Sequence, residues 1–152
     1  MAVEESSSGD ATLRNSPLEP HTIGFYKKAD GSLPAREYLN ALPPKIVAKM
    51  RAVIEAVAKA PPLSFAGGGY WESMKGEMNG WFEIRIDGPP NRTHYRMFCL
   101  LDYVAIGSQV PLLVLVDGRT KKFRTTLKPA EYAAVKREGD RYWSINPRPL
   151  AV

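Results

Sequence analysis

The chain has 152 residues, 44% hydrophobic and 24% charged, with a formal net charge of +5 and a pI of about 9.4. That balance excludes a fibrous or low-complexity polymer and fits one globular domain with its own core, leaning toward polyanionic partners. A lone cysteine, Cys99, excludes an internal disulfide or a multi-cysteine metal site. The two histidines, His21 and His94, lie far apart with no ligand spacing, so neither a metal nor a cofactor is expected.

Residues 1 to 19, rich in serine, glycine and charge, read as a disordered tail. Their polarity excludes a signal peptide, no stretch approaches the roughly 20 apolar residues of a membrane span, and a cytoplasmic location is expected. The folded domain is placed at 20–145. HTIGFYKK (21–28) puts Ile23 and Phe25 on one face of a first strand, and ADGS (29–32) is a turn. Ser32 as a cap and Pro34 in the first turn open a helix over 32–42. PPKIVAKMRAVIEAVAKAPP (43–62) is the clearest helix: Ile46, Met50, Val53, Ile54 and Val57 follow the 3.6-residue period between Pro44 and Pro61. The pair makes a helical hairpin whose apolar stripe needs a sheet to cover. LSFAGGGY (63–70) lacks the Gly-Lys-Ser/Thr ending of a phosphate-binding loop and reads as a connector.

Three strands follow. WFEIRID (81–87) alternates Phe82, Ile84 and Ile86 against Glu83, Arg85 and Asp87. RTHYRMFCLLD (92–102) is the second strand. PLLVLVD (111–117) does not alternate, so it lies centrally with both faces buried. Short loops between them imply an antiparallel meander. The basic run GRTKKFRTTLK (118–128) leads to a last helix over 128–143, and the residues from 146 to 152 are expected to be loose.

Across the first turn of the meander, Asp87 is expected opposite Arg92, Arg85 opposite His94 and Glu83 opposite Arg96. Alone, that pattern describes a solvated face with weak ion pairs. The basic run shifts the balance, because a meander brings the end of its third strand beside the start of its second. A cleft of Arg85, His94, Arg96, Lys121 and Lys122 suits a phosphate backbone. Tyr70, Trp81, Tyr95 and Phe123 are available to stack bases, although each alone is more often core. No serine or cysteine triad and no hydrolase-like acid pair is present. What remains is chemistry of cations: RNA cleavage by its own 2′-hydroxyl needs a base, cations for the phosphorane charge, and an acid for the leaving 5′-oxygen. A histidine, or a lysine with a depressed pKa, supplies the base.

The order and residues resemble the RelE/HigB superfamily of bacterial toxins, nearest its phage-derived HigB-like branch. The features that carry the likeness are DGSLP (30–34), WFEIR (81–85), HYRMF (94–98), the lysine pair 121–122 and KPAEYAAVKR (128–137). The resemblance spans about residues 21 to 143. It implies a RelE-like α+β fold: an N-terminal strand and a helical hairpin packed on an antiparallel sheet of about four strands, plus a C-terminal helix. It implies a toxin of a type II toxin–antitoxin pair that cuts mRNA on the ribosome, leaving a 2′,3′-cyclic phosphate and a 5′-hydroxyl. Its partners would be an antitoxin, typically with a helix-turn-helix, the mRNA and the ribosome, with no membrane and no metal. Arg85, Arg96, Lys121 and Lys122 match the family's working positions, while Lys75, Arg92, Arg119 and Arg124 are expected to add RNA contacts. Where RelE proper tends to have a lysine this chain has Glu83, so His94 is taken as base on chemical grounds. Two alternatives stand beside this: a ParE-like gyrase poison that cuts nothing, and a domesticated phage protein that only binds RNA or a partner.

Overall fold

Six strands form one mixed sheet in a computed structural model that describes residues 15–152. The strands are β1 (Thr22–Tyr26), β2 (Trp71–Ser73), β3 (Phe82–Gly88), β4 (Thr93–Asp102), β5 (Leu112–Lys121) and β6 (Leu150–Ala151). The helices are α1 (Pro34–Asn40), α2 (Pro44–Lys59) and α3 (Pro129–Ser144). In space the order is β2-β3-β4-β5-β1-β6. The meander β3-β4-β5 is antiparallel as expected, and β1 runs parallel to β5 on its other side, so β5 is central.

The sheet has six strands instead of about four, for two local reasons. β2 pairs with β3 through only three residues, with Trp71 stacked on Phe82 at 5.0 Å between ring centroids. A three-residue strand carries no periodic signal. β6 comes from the segment expected to be loose. Its anchor is Asp102, fully buried, which accepts hydrogen bonds from Tyr142 Oη and Arg148 Nε at 2.8 Å each and from the Val104 amide at 3.0 Å. Breaking such a buried pair strands a charge, so the tail is held. Most of the expected N-terminal tail, residues 1–14, lies outside the described residues. Asn15 donates its amide to Tyr103 O at 3.1 Å.

Each face of the sheet is covered by a different layer. Ile46, Met50, Val53, Ile54 and Val57 of α2, with Ala35 and Leu39 of α1, pack on Ile84, Ile86, Tyr95, Met97, Cys99, Leu113 and Leu115. The five α2 positions read from the 3.6 period are all buried. On the opposite face, Val135 and Tyr142 of α3 pack with Trp81, Phe98, Leu100, Leu112, Val114 and Val116. Cys99 is buried between strands and α2, and its thiol is pushed well up by burial, then by the Glu83 charge. It is no nucleophile.

Two glycines set how closely the layers approach. A Cβ at Gly118 would overlap the Tyr38 ring of α1, whose hydroxyl donates to Arg119 O at 3.0 Å. A Cβ at Gly139, inside α3, would overlap the Trp81 indole. In an isolated helix Gly→Ala gains about 1 kcal/mol, but forcing a methyl into a filled contact costs about 1–3 kcal/mol. Gly139→Ala is therefore expected to lower the thermal midpoint by a few degrees in a calorimetric melt. A raised midpoint would show that Trp81 does not seat on the helix.

Candidate functional site

α3 covers only the half of its face built on Phe98, Leu100, Leu112, Val114 and Val116. The other half carries charge in two cross-strand rows: Arg85 opposite Arg96 opposite Arg119, and Asp87 opposite His94 opposite Lys121. Directly opposed residues share a face, so six charged or titratable side chains from three strands stand together. The pairing in the β3–β4 hairpin differs by two residues from the expected one. Gly88 pairs with Thr93, so the four-residue turn is Pro89–Arg92, one residue later than the expected 88–91, and Arg92 lies outside the ladder. A two-residue shift preserves the face, which is why the cluster still assembles.

β5 contributes to this face only because of a bulge. Phe98 pairs with Asp117 and Cys99 with Leu115, leaving Val116 as an extra residue. Leu113 and Leu115 point to α1 and α2, whereas Asp117, Arg119 and Lys121 point to the α3 side. With strict alternation all five would share one face, and the bulge reverses the sense beyond it.

Arg96 is the buried centre, 3% exposed. Its Nη1 donates to Tyr95 O at 3.1 Å, Ile86 O at 3.3 Å and Asp87 Oδ1 at 3.0 Å. The same Oδ1 accepts from His94 Nδ1 at 2.7 Å. Burial raises the Asp87 pKa, but the hydrogen bonds and charges of His94 and Arg96 outweigh it and hold the carboxyl below its ordinary value. His94 Nε2 accepts the Arg124 amide N–H at 3.2 Å. A backbone amide can only donate, so Nε2 carries no proton there and the ring is the neutral Nδ1–H tautomer. Both ring nitrogens are occupied, and the Nε2 lone pair that a general base needs is engaged. In this geometry His94, expected as the base, instead bridges Asp87 and the Arg124 amide.

Lys121 stands at the end of the same row. Among the described residues its ammonium forms no salt bridge, and its pKa is lowered by burial first, then by the Arg96 charge, with Arg85 adding to it against Glu83 and Asp87. Arg85 is the accessible cation of the row, 41% exposed, with loose contacts to Glu83 at 3.5 Å and Glu72 at 3.8 Å. Lys122 is exposed just past the end of β5. Arg119 is largely spent on Asp117 at 2.5 Å, with Glu131 at 4.0 Å.

The remaining expected contacts separate. Arg92 makes no ion pair with Asp87; its guanidinium lies over the Phe123 ring at 4.9 Å, and that of Arg124 at 5.1 Å. Of the four aromatics named for stacking, Trp81 and Tyr95 are core, and Tyr70 packs against the α2 core beneath Lys49. Phe123 alone is exposed beside the cluster, 5.8 Å from the His94 ring. Lys75 lies away from the rows, on a groove formed with Tyr132, Lys136 and Arg137 of α3. The Arg124 amide and the Val116 bulge were not legible: a backbone donor has no sequence signature, and a valine in an apolar run does not announce an extra residue.

No protein-family model, no characterised protein and no solved structure matches this chain.

Because neighbouring cations depress Lys121, Arg85→Ala is expected to raise its pKa and Glu83→Gln to lower it further. Titration of the lysine side-chain resonances by NMR reads both. Opposite or absent shifts would remove Lys121 from the cluster.

Proposed function

We propose that the protein is a metal-independent endoribonuclease of RelE/HigB type, the toxin of a type II toxin–antitoxin pair acting on ribosome-bound mRNA. One observation carries this: Lys121, Arg85 and Arg96 stand together in two adjacent cross-strand rows on the part of the sheet face beyond the α3-covered core. Burial and neighbouring cations favour loss of the Lys121 proton, the direction a general base needs. Lys121 Nζ takes the 2′-hydroxyl proton, and the 2′-oxygen attacks the adjacent phosphorus. Arg85 holds the charge on the phosphorane oxygens, bidentate as guanidiniums favour, and the buried Arg96 adds its positive field from beneath. Lys122, one residue on, protonates the departing 5′-oxygen, leaving a 2′,3′-cyclic phosphate and a 5′-hydroxyl. The +5 net charge adds long-range attraction for RNA. The motifs shared with the RelE/HigB superfamily supply the biological setting: an antitoxin that covers the site, and the ribosome that presents the message.

The test uses Lys121→Met and Arg85→Ala. Arg96→Ala is less clean, because Arg96 also supports Asp87 and two backbone carbonyls. Removing the base is expected to cost about 10²–10⁴-fold in cleavage rate, and removing Arg85 about 10²–10³-fold, with circular dichroism unchanged. Primer extension on mRNA from induced cells reads discrete new 5′ ends. Undiminished ends with Lys121→Met would reject the mechanism. Growth arrest with DNA-damage signalling and no new ends would instead indicate a gyrase poison.

A further inference from the structure

Two turns meet over the His94 ring, and both hold non-glycine residues in the left-handed region. Asn91 and Arg92 have φ of 55° and 57° in the β3–β4 turn; Arg124 has φ of 62° in the turn after β5. Such conformations persist only where surrounding contacts fix them. The second turn closes through Thr125 N–H on Lys122 O at 3.1 Å, with Phe123 and Arg124 at its centre. A positive φ at the third position is that of a type II turn, which favours glycine or asparagine there. The central amide of such a turn, the Arg124 N–H, is not used by the turn's own hydrogen bond. His94 Nε2 takes it, while His94 Nδ1 is anchored on Asp87. Phe123 then packs on the His94 ring between the guanidiniums of Arg92 and Arg124.

We infer that His94 is a positioning residue: its neutral ring latches the Lys122–Thr125 turn to the β3–β4 hairpin, and protonation of the ring releases it. A proton on Nε2 would set two N–H groups against each other, so the Arg124 amide must leave. The groups facing the ring are Asp87 from β3, which favours that proton, and Arg96 from β4, Lys121 from β5 and Arg92 and Arg124 from the turns, which oppose it. The latch is a property of the fold alone. Its effect on RNA cleavage rests on the function proposed above, because the turn begins at Lys122, directly after Lys121 of the row.

The experiment compares the full chain with His94→Gln and His94→Ala. A glutamine amide offers one donor and one acceptor, so it can span the Asp87 carboxylate and the Arg124 amide without ever titrating as a base. Long-range proton–nitrogen spectra of the imidazole should show the Nδ1–H tautomer above the ring's titration. The Arg124 amide should be protected from exchange there and lose protection as the ring is protonated. In His94→Gln it should be protected at both pH values, and in His94→Ala at neither. Cleavage by His94→Gln should stay within about threefold of the parent, and His94→Ala should fall about tenfold, the worth of one positioned hydrogen bond. The inference is overturned if the Arg124 amide is unprotected in the parent with the ring neutral. It is equally overturned if His94→Gln keeps that protection but loses cleavage as fully as His94→Ala. If the parent cuts no RNA, the function proposed above fails, and the exchange data alone decide the latch.

Discussion

One extra residue in β5 decides the chemistry of this sheet. Val116 is unmatched between Leu115 opposite Cys99 and Asp117 opposite Phe98. Before it, odd-numbered residues of β5 point into the α1/α2 core; after it, they point away. Without the bulge Arg119 and Lys121 would face Tyr38, and Gly118 would face Arg96. The glycine sits where the α1 side demands it, under the Tyr38 ring. A strand can thus run from a fully buried centre to a charged end within ten residues. Bulges recur beside functional sites because they re-aim side chains while keeping the strand in its ladder.

The second constraint is the burial of Arg96. A guanidinium at 3% exposure is costly unless its donors are matched and its charge is balanced. Two carbonyls and the Asp87 carboxylate do this, and the carboxylate is in turn shared with His94. Asp87 is itself 56% exposed at its side chain, so the balancing charge is screened and contributes less than a buried one would. The result is a fixed positive centre whose field reaches Lys121 across the strand pair. Burial of Lys121 is the first cause of its lowered pKa, and the charge of Arg96 adds to it.

Residues with strong periodicity were legible. The α2 stripe, the alternation of Phe82 to Asp87 and the apolar run of β5 each repeat over a full element, so local sequence fixes the exposed and buried sides. Turn geometry was not. Four residues, Pro89 to Arg92, close the hairpin, two of them left-handed, and neither Asn91 nor Arg92 signals that jointly. Placing a turn of the same length one residue too early moved the pairing by two, which kept Arg85, His94 and Arg96 together while giving each the wrong neighbour. The tail from 146 to 152 misled for a different reason: Arg148 looks like a surface residue until the buried Asp102, far off in the chain, is seen to need it. His94 was singled out by its pKa range, a property of the free residue. Its role depends on which partners occupy its nitrogens, and those come from Asp87 and a backbone amide.

The cations of the face therefore divide by what holds them. Arg96 and Arg119 are committed to carboxylates and carbonyls, and Arg92 and Arg124 to the Phe123 ring. Arg85, Lys121 and Lys122 are not held in that way. An anion approaching this face would meet a few loosely paired cations backed by tightly paired ones. That division suits a group whose charge grows during reaction better than one bound at constant charge, because the fixed centre is already in place and costs no reorganisation at that moment. The two cation types also differ in kind: a guanidinium keeps its proton, whereas burial and then the Arg96 charge lower the pKa of the Lys121 ammonium.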